Sequence, residues 1–322
     1  MNSSFIEICD NKKMASRITE LAKDQASQVR GFLSANVRIK LKLKQSDIAK
    51  IELTLRDEFP NFKDVIDGVF SDLRVSAISD TKGVYFTPLL MVGDPGIGKT
   101  YFTKRLSQEL GLNESTIDLS TSTSSMVLTG SSSKWGNSAP GLIAKTLMKN
   151  KAANQIVRLD ELDKAGTTRE QNVSNSLISL LEKHSASEFV DEWLEVPIDA
   201  SHLSYLATAN TLATLESHIL SRFSVVTVKP LTAQEMEKVV PKAYLNLLKE
   251  LEIDNFTKTV SKGVAKALAS LLDVRTLRSG LMSGLTACVK RDGKMISVAD
   301  VAPYVKRIEG ERQEKSRSIG FH

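Results

Sequence analysis

The sequence predicts an α/β fold in which a parallel sheet with helices on both faces is preceded by a mostly helical region and followed by an all-α lid. Between residues 84 and 229, short apolar runs alternate with longer helical or loop segments, which is typical of a parallel sheet. On either side of this region, apolar residues recur at helical spacing. The predicted domains are residues 1–75, 76–230 and 231–310, and residues 311–322 form a polar tail.

The N-terminal region combines helical periodicity with a positive block. Residues 37–44 alternate strictly, which predicts a strand with one solvated face or an exposed edge protected by lysines. Residues 11–50 contain ten Lys or Arg against three Asp or Glu, whereas the whole chain has a net charge of +5. Such a block favours nucleic acid or an acidic partner, although a solvated helical face is its commoner explanation.

Five apolar runs predict the strands of the central region, and a capping pattern predicts where the lid begins. Thr232 and Glu235 fit a capping box after Pro230, so we expect the lid to begin with a helix there. The predicted strands lie at residues 89–92, 116–119, 156–159, 203–209 and 225–228.

Cysteine and histidine usage excludes several classes of protein. Cys9 and Cys288 are far apart in the chain, and the four histidines show no metal-binding spacing, so neither a disulfide framework nor a zinc site is predicted. No stretch approaches the roughly 18 apolar residues of a membrane helix, and charges interrupt any signal-peptide core. We therefore expect a cytoplasmic protein.

The strongest motif follows the first predicted strand of the sheet. Its spacing is G-x-x-x-x-G-K-[ST], and a predicted helix comes directly after it. Glycines let the backbone N–H groups face phosphates. Lys99 suits the β- and γ-phosphates of ATP, and the Thr100 hydroxyl suits Mg²⁺. The residues expected to bind the nucleotide are Gly93, Asp94, Pro95, Gly96, Ile97, Gly98, Lys99, Thr100 and Tyr101.

Polar residues also follow two later strands. Asp160 and Glu161 end the run at 156–159, where α/β sheets bind ligands. We expect Asp160 to hold Mg²⁺ through water and Glu161 to polarise the attacking water. Asn210 ends the run at 203–209; its amide suits the water near the γ-phosphate, or it caps a helix. An Asp-Glu pair without the phosphate loop would usually be a solvated strand end.

With these motifs, the chain resembles the AAA+ ATPases and is similar to the ATPase module of Lon proteases. The resemblance implies a P-loop NTPase fold, with Asn210 at the sensor-1 position, Arg222 as an arginine finger for the neighbouring subunit's nucleotide, and Arg275 as the sensor-2 arginine of the lid. A permanently charged guanidinium suits both arginine roles, and a surface ion pair is the alternative for each. Besides the loop, the similar segments are 159–164, 189–196, 206–212, 220–223 and 273–277.

The resemblance also implies an assembly and a substrate contact. A finger that acts on a neighbour implies a ring, a hexamer in this superfamily. Trp135 stands where Lon-like modules have a pore tyrosine that grips unfolded polypeptide, and an aromatic ring can contact any sequence by area. Gly136 departs from the bulky apolar residue expected there. Base stacking and a core position are the alternatives for Trp135.

Two functions of different kinds remain open at this point. The first is an ATPase that hydrolyses ATP at the subunit interfaces of a ring and remodels or threads a macromolecule, protein being favoured. Lon proteases continue into a peptidase domain and the sequence ends at His322, so we expect any proteolysis to need a partner in trans. The second is a nucleotide-switched ATPase that binds nucleic acid and recruits an effector enzyme. A regulatory ATPase of a multi-gene system would overlap both.

Overall fold

The computed structural model describes residues 3–319 except 22, 34–36, 41–42, 79–82, 121–125, 134, 136–137, 151, 166–172 and 272. The described residues form two compact units. The sheet unit takes them from 1–55, 64–92 and 100–227, and the lid unit takes them from 56–63, 93–99 and 228–322. The domain boundaries predicted from the sequence stay predictions.

The N-terminal part of the chain is mostly helical, as its periodicity predicts. Ser3–Ile6 pairs antiparallel with Val37–Lys40, so the alternating segment is a strand over its first half. The elements in order are β1 (Ser3–Ile6), α1 (Asn11–Glu20), α2 (Lys23–Leu33), β2 (Val37–Lys40), α3 (Gln45–Glu58) and α4 (Lys63–Ile78).

The elements of the central region follow in chain order. They are β3 (Leu89–Val92), α5 (Lys99–Leu110), β4 (Glu114–Asp118), α6 (Met126–Thr129), α7 (Leu142–Asn150), β5 (Ile156–Asp160), α8 (Val173–Leu181), α9 (Lys183–Ala186), β6 (Phe189–Val190), β7 (Pro197–Ile198), β8 (Ser204–Ala209), α10 (Ser217–Leu220) and β9 (Ser224–Thr227). β6 and β7 pair antiparallel and enclose a tight turn.

A five-stranded sheet in the order β4-β5-β8-β3-β9 organises this region, and every strand pair in it is parallel. The predicted parallel sheet is confirmed. β3 lies between β8 and β9, and both β3 and β8 are buried along their whole length. Because all five strands run the same way, the carboxyl ends of β5, β8 and β3 lie side by side at one edge.

The lid unit is helical, as predicted, and its helices are α11 (Ala233–Glu250), α12 (Lys262–Ala269), α13 (Val274–Lys290) and α14 (Val298–Ile319). The predicted capping box is present, since Thr232 and Glu235 exchange side-chain and backbone hydrogen bonds at the start of α11. The helices share one apolar core that includes Val240, Leu268 and Leu281. α14 continues through residues 311–319 of the predicted polar tail, whose boundary stays a prediction.

A buried carboxylate joins α13 to α14. Asp300 accepts hydrogen bonds from Arg291 Nε at 3.0 Å, Arg291 Nη2 at 2.8 Å and the Ser297 backbone N–H at 2.7 Å. The Arg291 guanidinium, with further help from Ser297, holds the pKa of Asp300 well below its usual range. Because the folded state favours the ionised form, this carboxylate stabilises the fold above its ordinary pKa, and that stabilisation is lost as the pH falls.

Asp300→Asn is therefore expected to lower the stability of the protein at neutral pH and to remove part of its acid sensitivity. Chemical unfolding followed by far-UV circular dichroism between about pH 6 and pH 3 measures both effects. The wild type should lose more unfolding free energy over this interval than the variant. Asp292→Asn, at an exposed acid of the same connection, is the control. Equal pH slopes in wild type and Asp300→Asn would contradict the assignment.

Candidate functional site

The phosphate-loop motif, residues 93–100, consists of an irregular segment after β3 and the first two residues of α5. Gly96 and Gly98 have φ angles of 87° and 103°, a region that other residues adopt only with strain. The predicted strand–loop–helix context is therefore present along the chain. These two glycines allow the sharp bends that turn successive N–H groups of a phosphate loop toward one ligand.

Lys99 folds back over this loop. Its Nζ donates to the backbone carbonyl of Gly93 at 2.5 Å and to that of Asp94 at 3.1 Å. The residue is only 9% exposed. The ammonium group is thus held against the backbone of its own loop by carbonyl groups, which are weaker partners than an anionic phosphate.

The first turn of α13 lies beside the loop within the lid unit. The Val274 N–H donates to the Gly96 carbonyl at 3.2 Å, and Asp273 caps α13 by accepting the Thr276 N–H at 2.7 Å. A methyl group placed on Gly96 would lie 3.9 Å from Cβ of Arg275. The structure therefore brings Arg275, an exposed side chain, next to the loop that carries Lys99.

In the sheet unit, Asp160 ends β5 within a network of polar contacts. Its Oδ1 accepts the Thr208 hydroxyl at 3.1 Å, and its Oδ2 accepts Arg158 Nε at 2.8 Å. Arg158 also pairs with Glu114 of the neighbouring strand β4. Burial is the main cause that raises the pKa of Glu114, although Arg158 opposes this shift. One guanidinium thus balances two partly buried carboxylates and fixes the direction of the Asp160 side chain.

Glu161 is the first residue after β5 and has a left-handed backbone, with φ 57° and ψ 48°. This conformation is uncommon for a residue with a side chain. The Glu161 N–H donates to the Thr208 hydroxyl at 3.1 Å, which helps to hold the bend. The Lys164 ammonium, 2.9 Å from the carboxylate, lowers the pKa of Glu161. Its side chain is therefore ionised at neutral pH and able to accept a proton.

Two more predicted residues lie in the sheet unit. Asn210 directly follows β8, the strand between β5 and β3. Arg222 lies between α10 and β9, and its Nη2 is 2.5 Å from Oε1 of Glu182, with both side chains partly exposed. In this single chain, Arg222 therefore has an intramolecular ion-pair partner that the sequence motifs do not reveal.

Trp135 projects from a short loop and is 58% exposed. The backbone N–H of Trp135 donates to the Ser132 carbonyl at 3.0 Å, and the backbone carbonyl of Trp135 accepts the Ser138 N–H at 3.1 Å. The core position considered for Trp135 is wrong because of this exposure; the tryptophan that lies in the core is Trp193, at 1% exposed. Gly136 lies outside the described residues. Thr100 and Tyr101, at the start of α5, are both exposed.

A family model described as the ATPase family associated with various cellular activities (AAA) matches residues 89–231. This segment is therefore similar to AAA ATPase domains. The matched segment begins with β3, includes the phosphate loop and all other strands of the parallel sheet, and ends next to the helix cap of α11.

Two Lon proteases are similar in sequence to this chain. The Lon protease of Lachnoclostridium phytofermentans is 27% identical over 236 residues, which are 73% of this chain and 29% of that protein. The mitochondrial Lon protease homolog of Mus musculus is 28% identical over 190 residues, which are 59% of this chain and 20% of that protein. The predicted resemblance to the Lon ATPase module is confirmed, and it covers less than a third of either relative.

A solved structure supports the fold. A closed-state cryo-electron-microscopy reconstruction of Hsp104 with ATPγS and FITC casein matches 79% of this chain and 51% of that one, with a TM-score of 0.64 and 17% identity. The predicted AAA+ fold class is thus confirmed. The matched family is one of ATPases, which agrees with the predicted hydrolysis of ATP. Within the described ranges, no helix is long and apolar enough to cross a membrane.

The sheet unit contains contacts of the candidate site that the motifs miss. Thr208 links the Asp160 carboxylate to the Glu161 backbone, and Glu182 holds Arg222. The sequence does offer a signal for Thr208: it lies two residues before Asn210 and on the same strand face as Leu206, because side chains two positions apart on a strand share a face. Glu182 has no comparable signal, because it lies far from Arg222 in the sequence and follows no recognisable spacing.

Proposed function

We propose that this chain hydrolyses ATP. Lys99 and Arg275 would bind the phosphates, and Asp160 would hold Mg²⁺. Glu161 would act as the base, and Asn210 would orient the attacking water. The observation that carries the proposal is the sheet order, in which β5, β8 and β3 are adjacent and parallel. The chain passes from the carboxyl end of β3 into the phosphate loop, and the other polar residues follow the carboxyl ends of β5 and β8. Ligands of open α/β sheets bind outside that edge.

The available ligand atoms suit Mg²⁺. The Asp160 carboxylate and the Thr100 hydroxyl provide hard oxygen ligands, which this cation prefers. Among the residues that the structure describes, no three His, Cys, Asp or Glu side chains form a metal cluster. Mg²⁺ commonly enters such sites with the nucleotide and keeps several waters. When bound, it would neutralise phosphate charge during the reaction.

The protein side chains would then divide the remaining work. Glu161, whose pKa is lowered further by Lys164, accepts the proton of the attacking water, and the Asn210 amide orients that water. Lys99 exchanges its carbonyl partners for the terminal phosphates. Arg275, which lies beside the phosphate loop, binds the same phosphates.

We further propose that Arg222 completes the site of a neighbouring subunit, in a ring that we expect to be a hexamer. Exposed Trp135 would contact a protein substrate, so ATP turnover would remodel or thread that protein in the cytoplasm for a partner acting in trans. A Lon-like sequence and the fold of a reconstruction that contains casein support a protein substrate.

A second candidate is ATP-dependent binding of nucleic acid, followed by recruitment of an effector enzyme. Lys12, Lys13, Lys23 and Arg30 are exposed on α1 and α2, so this positive surface is accessible. Binding through phosphates would weaken steeply with salt. ATPase activity that DNA stimulates and unfolded protein does not would favour this candidate.

Lys99→Ala tests nucleotide binding directly. We expect ATP affinity to fall by at least about tenfold, because a charge-assisted contact to phosphate contributes about 1.5–3 kcal/mol. Titration calorimetry with ATP and Mg²⁺ measures the change. Lys104→Ala is the matched control, since Lys104 is an exposed lysine of the same helix. Unchanged affinity in Lys99→Ala would remove the phosphate loop from the proposed site.

A further inference from the structure

Arg17 of α1 is a buried arginine, 8% exposed, far from the nucleotide motifs in the sequence. Its Nε donates to the Leu194 carbonyl at 3.0 Å, and its Nη2 donates to the Trp193 carbonyl at 3.1 Å and to the Ser133 hydroxyl at 2.5 Å. It also forms ion pairs with Glu20 and Glu195. A guanidinium with fixed partners on three segments cannot be exchanged for another cation without loss.

The first partner of Arg17 is the turn between β6 and β7, residues 191–196. Asp191 is fully buried in this turn. Its Oδ1 accepts the N–H groups of Trp193 and Leu194 at 3.0 and 3.1 Å, and its Oδ2 accepts the Gly141 N–H at 2.7 Å. The Glu192 N–H donates to the Thr129 carbonyl at 2.6 Å. The turn therefore contacts the chain on both sides of the segment that carries Trp135.

That segment, residues 131–139, is here called the tryptophan loop. Its ends are joined, since the Ser131 N–H donates to the Ala139 carbonyl and the Ala139 N–H donates to the Ser131 hydroxyl, both at 3.1 Å. The N-terminal helices reach both of its sides. Arg17 of α1 binds Ser133, and Gln25 of α2 donates to the Ser138 hydroxyl at 3.3 Å. These two serines flank Trp135 in the sequence.

We propose that α1 and α2 position the tryptophan loop, with Arg17 as the central positioning residue, and that the N-terminal region thereby belongs to the apparatus that grips a substrate polypeptide. The gripping part rests on the function proposed above for Trp135. Ordering a flexible loop costs free energy at the moment of binding, and a loop that is already ordered avoids this cost. Arg17 and the Asp191 turn hold Ser133 and the chain on both sides of the loop in place before any substrate arrives.

Tryptophan fluorescence tests whether α1 and α2 position the tryptophan loop. The chain has two tryptophans, so the Trp193→Phe protein reports on Trp135 alone. In this background, Arg17→Ala and Ser133→Ala are expected to lower the steady-state anisotropy of Trp135 and to increase its quenching by acrylamide. Ser133→Thr, which keeps a hydroxyl, should restore the wild-type values. Arg30→Ala removes an exposed positive charge from α2 and is the control.

Ser133→Ala distinguishes a loss of loop position from a folding defect, because it deletes one hydroxyl and leaves the other Arg17 contacts in place. An anisotropy of Trp135 that stays at the wild-type value in both folded variants would overturn the positioning role. A loss of anisotropy found only in Arg17→Ala, together with a lower unfolding midpoint, would also overturn the positioning role. If the contact between Arg17 and Ser133 positions the loop, the anisotropy should fall when either side chain is removed.

The gripping part is tested with fluorescein-labelled, reduced and carboxymethylated lactalbumin as the unfolded polypeptide. Its affinity for the ATP-bound protein, measured by fluorescence polarisation, is expected to fall by about tenfold in Trp135→Ala and by a smaller factor in Ser133→Ala. Unchanged affinity in Trp135→Ala would refute the function proposed for Trp135 while leaving the anisotropy result to decide the positioning role. Unchanged affinity in Ser133→Ala alone would refute the link between loop order and grip.

Discussion

Glu161→Gln is expected to bind ATP normally and to hydrolyse it at least about 100-fold more slowly than the wild type, the loss typical of a removed general base. A carboxamide has nearly the same shape as a carboxylate but cannot take a proton from water. The substitution also keeps the backbone N–H that donates to Thr208, so the bend after β5 should persist. Phosphate release gives the turnover rate, and calorimetry gives ATP affinity.

Lys164→Ala provides a matched comparison for Glu161→Gln. Lys164 lowers the pKa of Glu161, so its removal should raise that pKa and move the acid limb of the kcat profile to higher pH. Turnover near neutral pH should change little, because an ordinary glutamate, with a pKa of about 4.3, is still ionised there. Wild-type turnover in Glu161→Gln would disprove the role of Glu161 as the base.

Arg222→Ala is expected to lower ATP turnover by about 1,000-fold, the lower range for an arginine finger, with little change in ATP affinity. The reason is that Arg222 would act on the nucleotide of a neighbouring subunit. Its ion pair with Glu182 is partly exposed, and such pairs contribute only about 0–1 kcal/mol. The free energy needed for Arg222 to leave Glu182 and bind a phosphate should therefore be small.

A mixing experiment separates action in trans from action within one chain. An Arg222→Ala subunit keeps its own Glu161, and a Glu161→Gln subunit keeps its own Arg222. If the finger acts across an interface, mixed assemblies contain some complete sites, and activity should exceed that of either variant alone. Glu182→Gln, which retains Arg222, is the control. Mixtures that stay as inactive as the separate variants would contradict a shared site.

The parts of the fold that follow local rules could be predicted from the sequence. Apolar runs located all five strands of the sheet. For β3 and β8 the reason is that fully buried strands are continuous in apolar character, whereas the edge strands β4 and β9 are mostly not buried. The capping box at Thr232 depends on residues three positions apart, and the phosphate loop depends on eight consecutive residues. Each of these signals is complete within a short window.

The parts that depend on distant residues could not be predicted in this way. Glu182 meets Arg222, and Arg17 meets Ser133, only because the tertiary fold brings them together. The two tryptophans show the same limit. Only packing decides that Trp193 is buried and Trp135 exposed, since an aromatic residue suits a core and a binding surface equally.

The central position of β3 also constrains how the protein forms during synthesis. Leu89 is made early, but its two neighbours in the sheet are Leu206 and Ser224. Pairings between such distant residues form late and slowly, because a long connecting chain must first be closed. A ribosome would therefore have to release nearly the whole ATPase domain before the strand that leads into the phosphate loop has both partners. Until then its apolar edges stay exposed, which makes the nascent chain a client for chaperones.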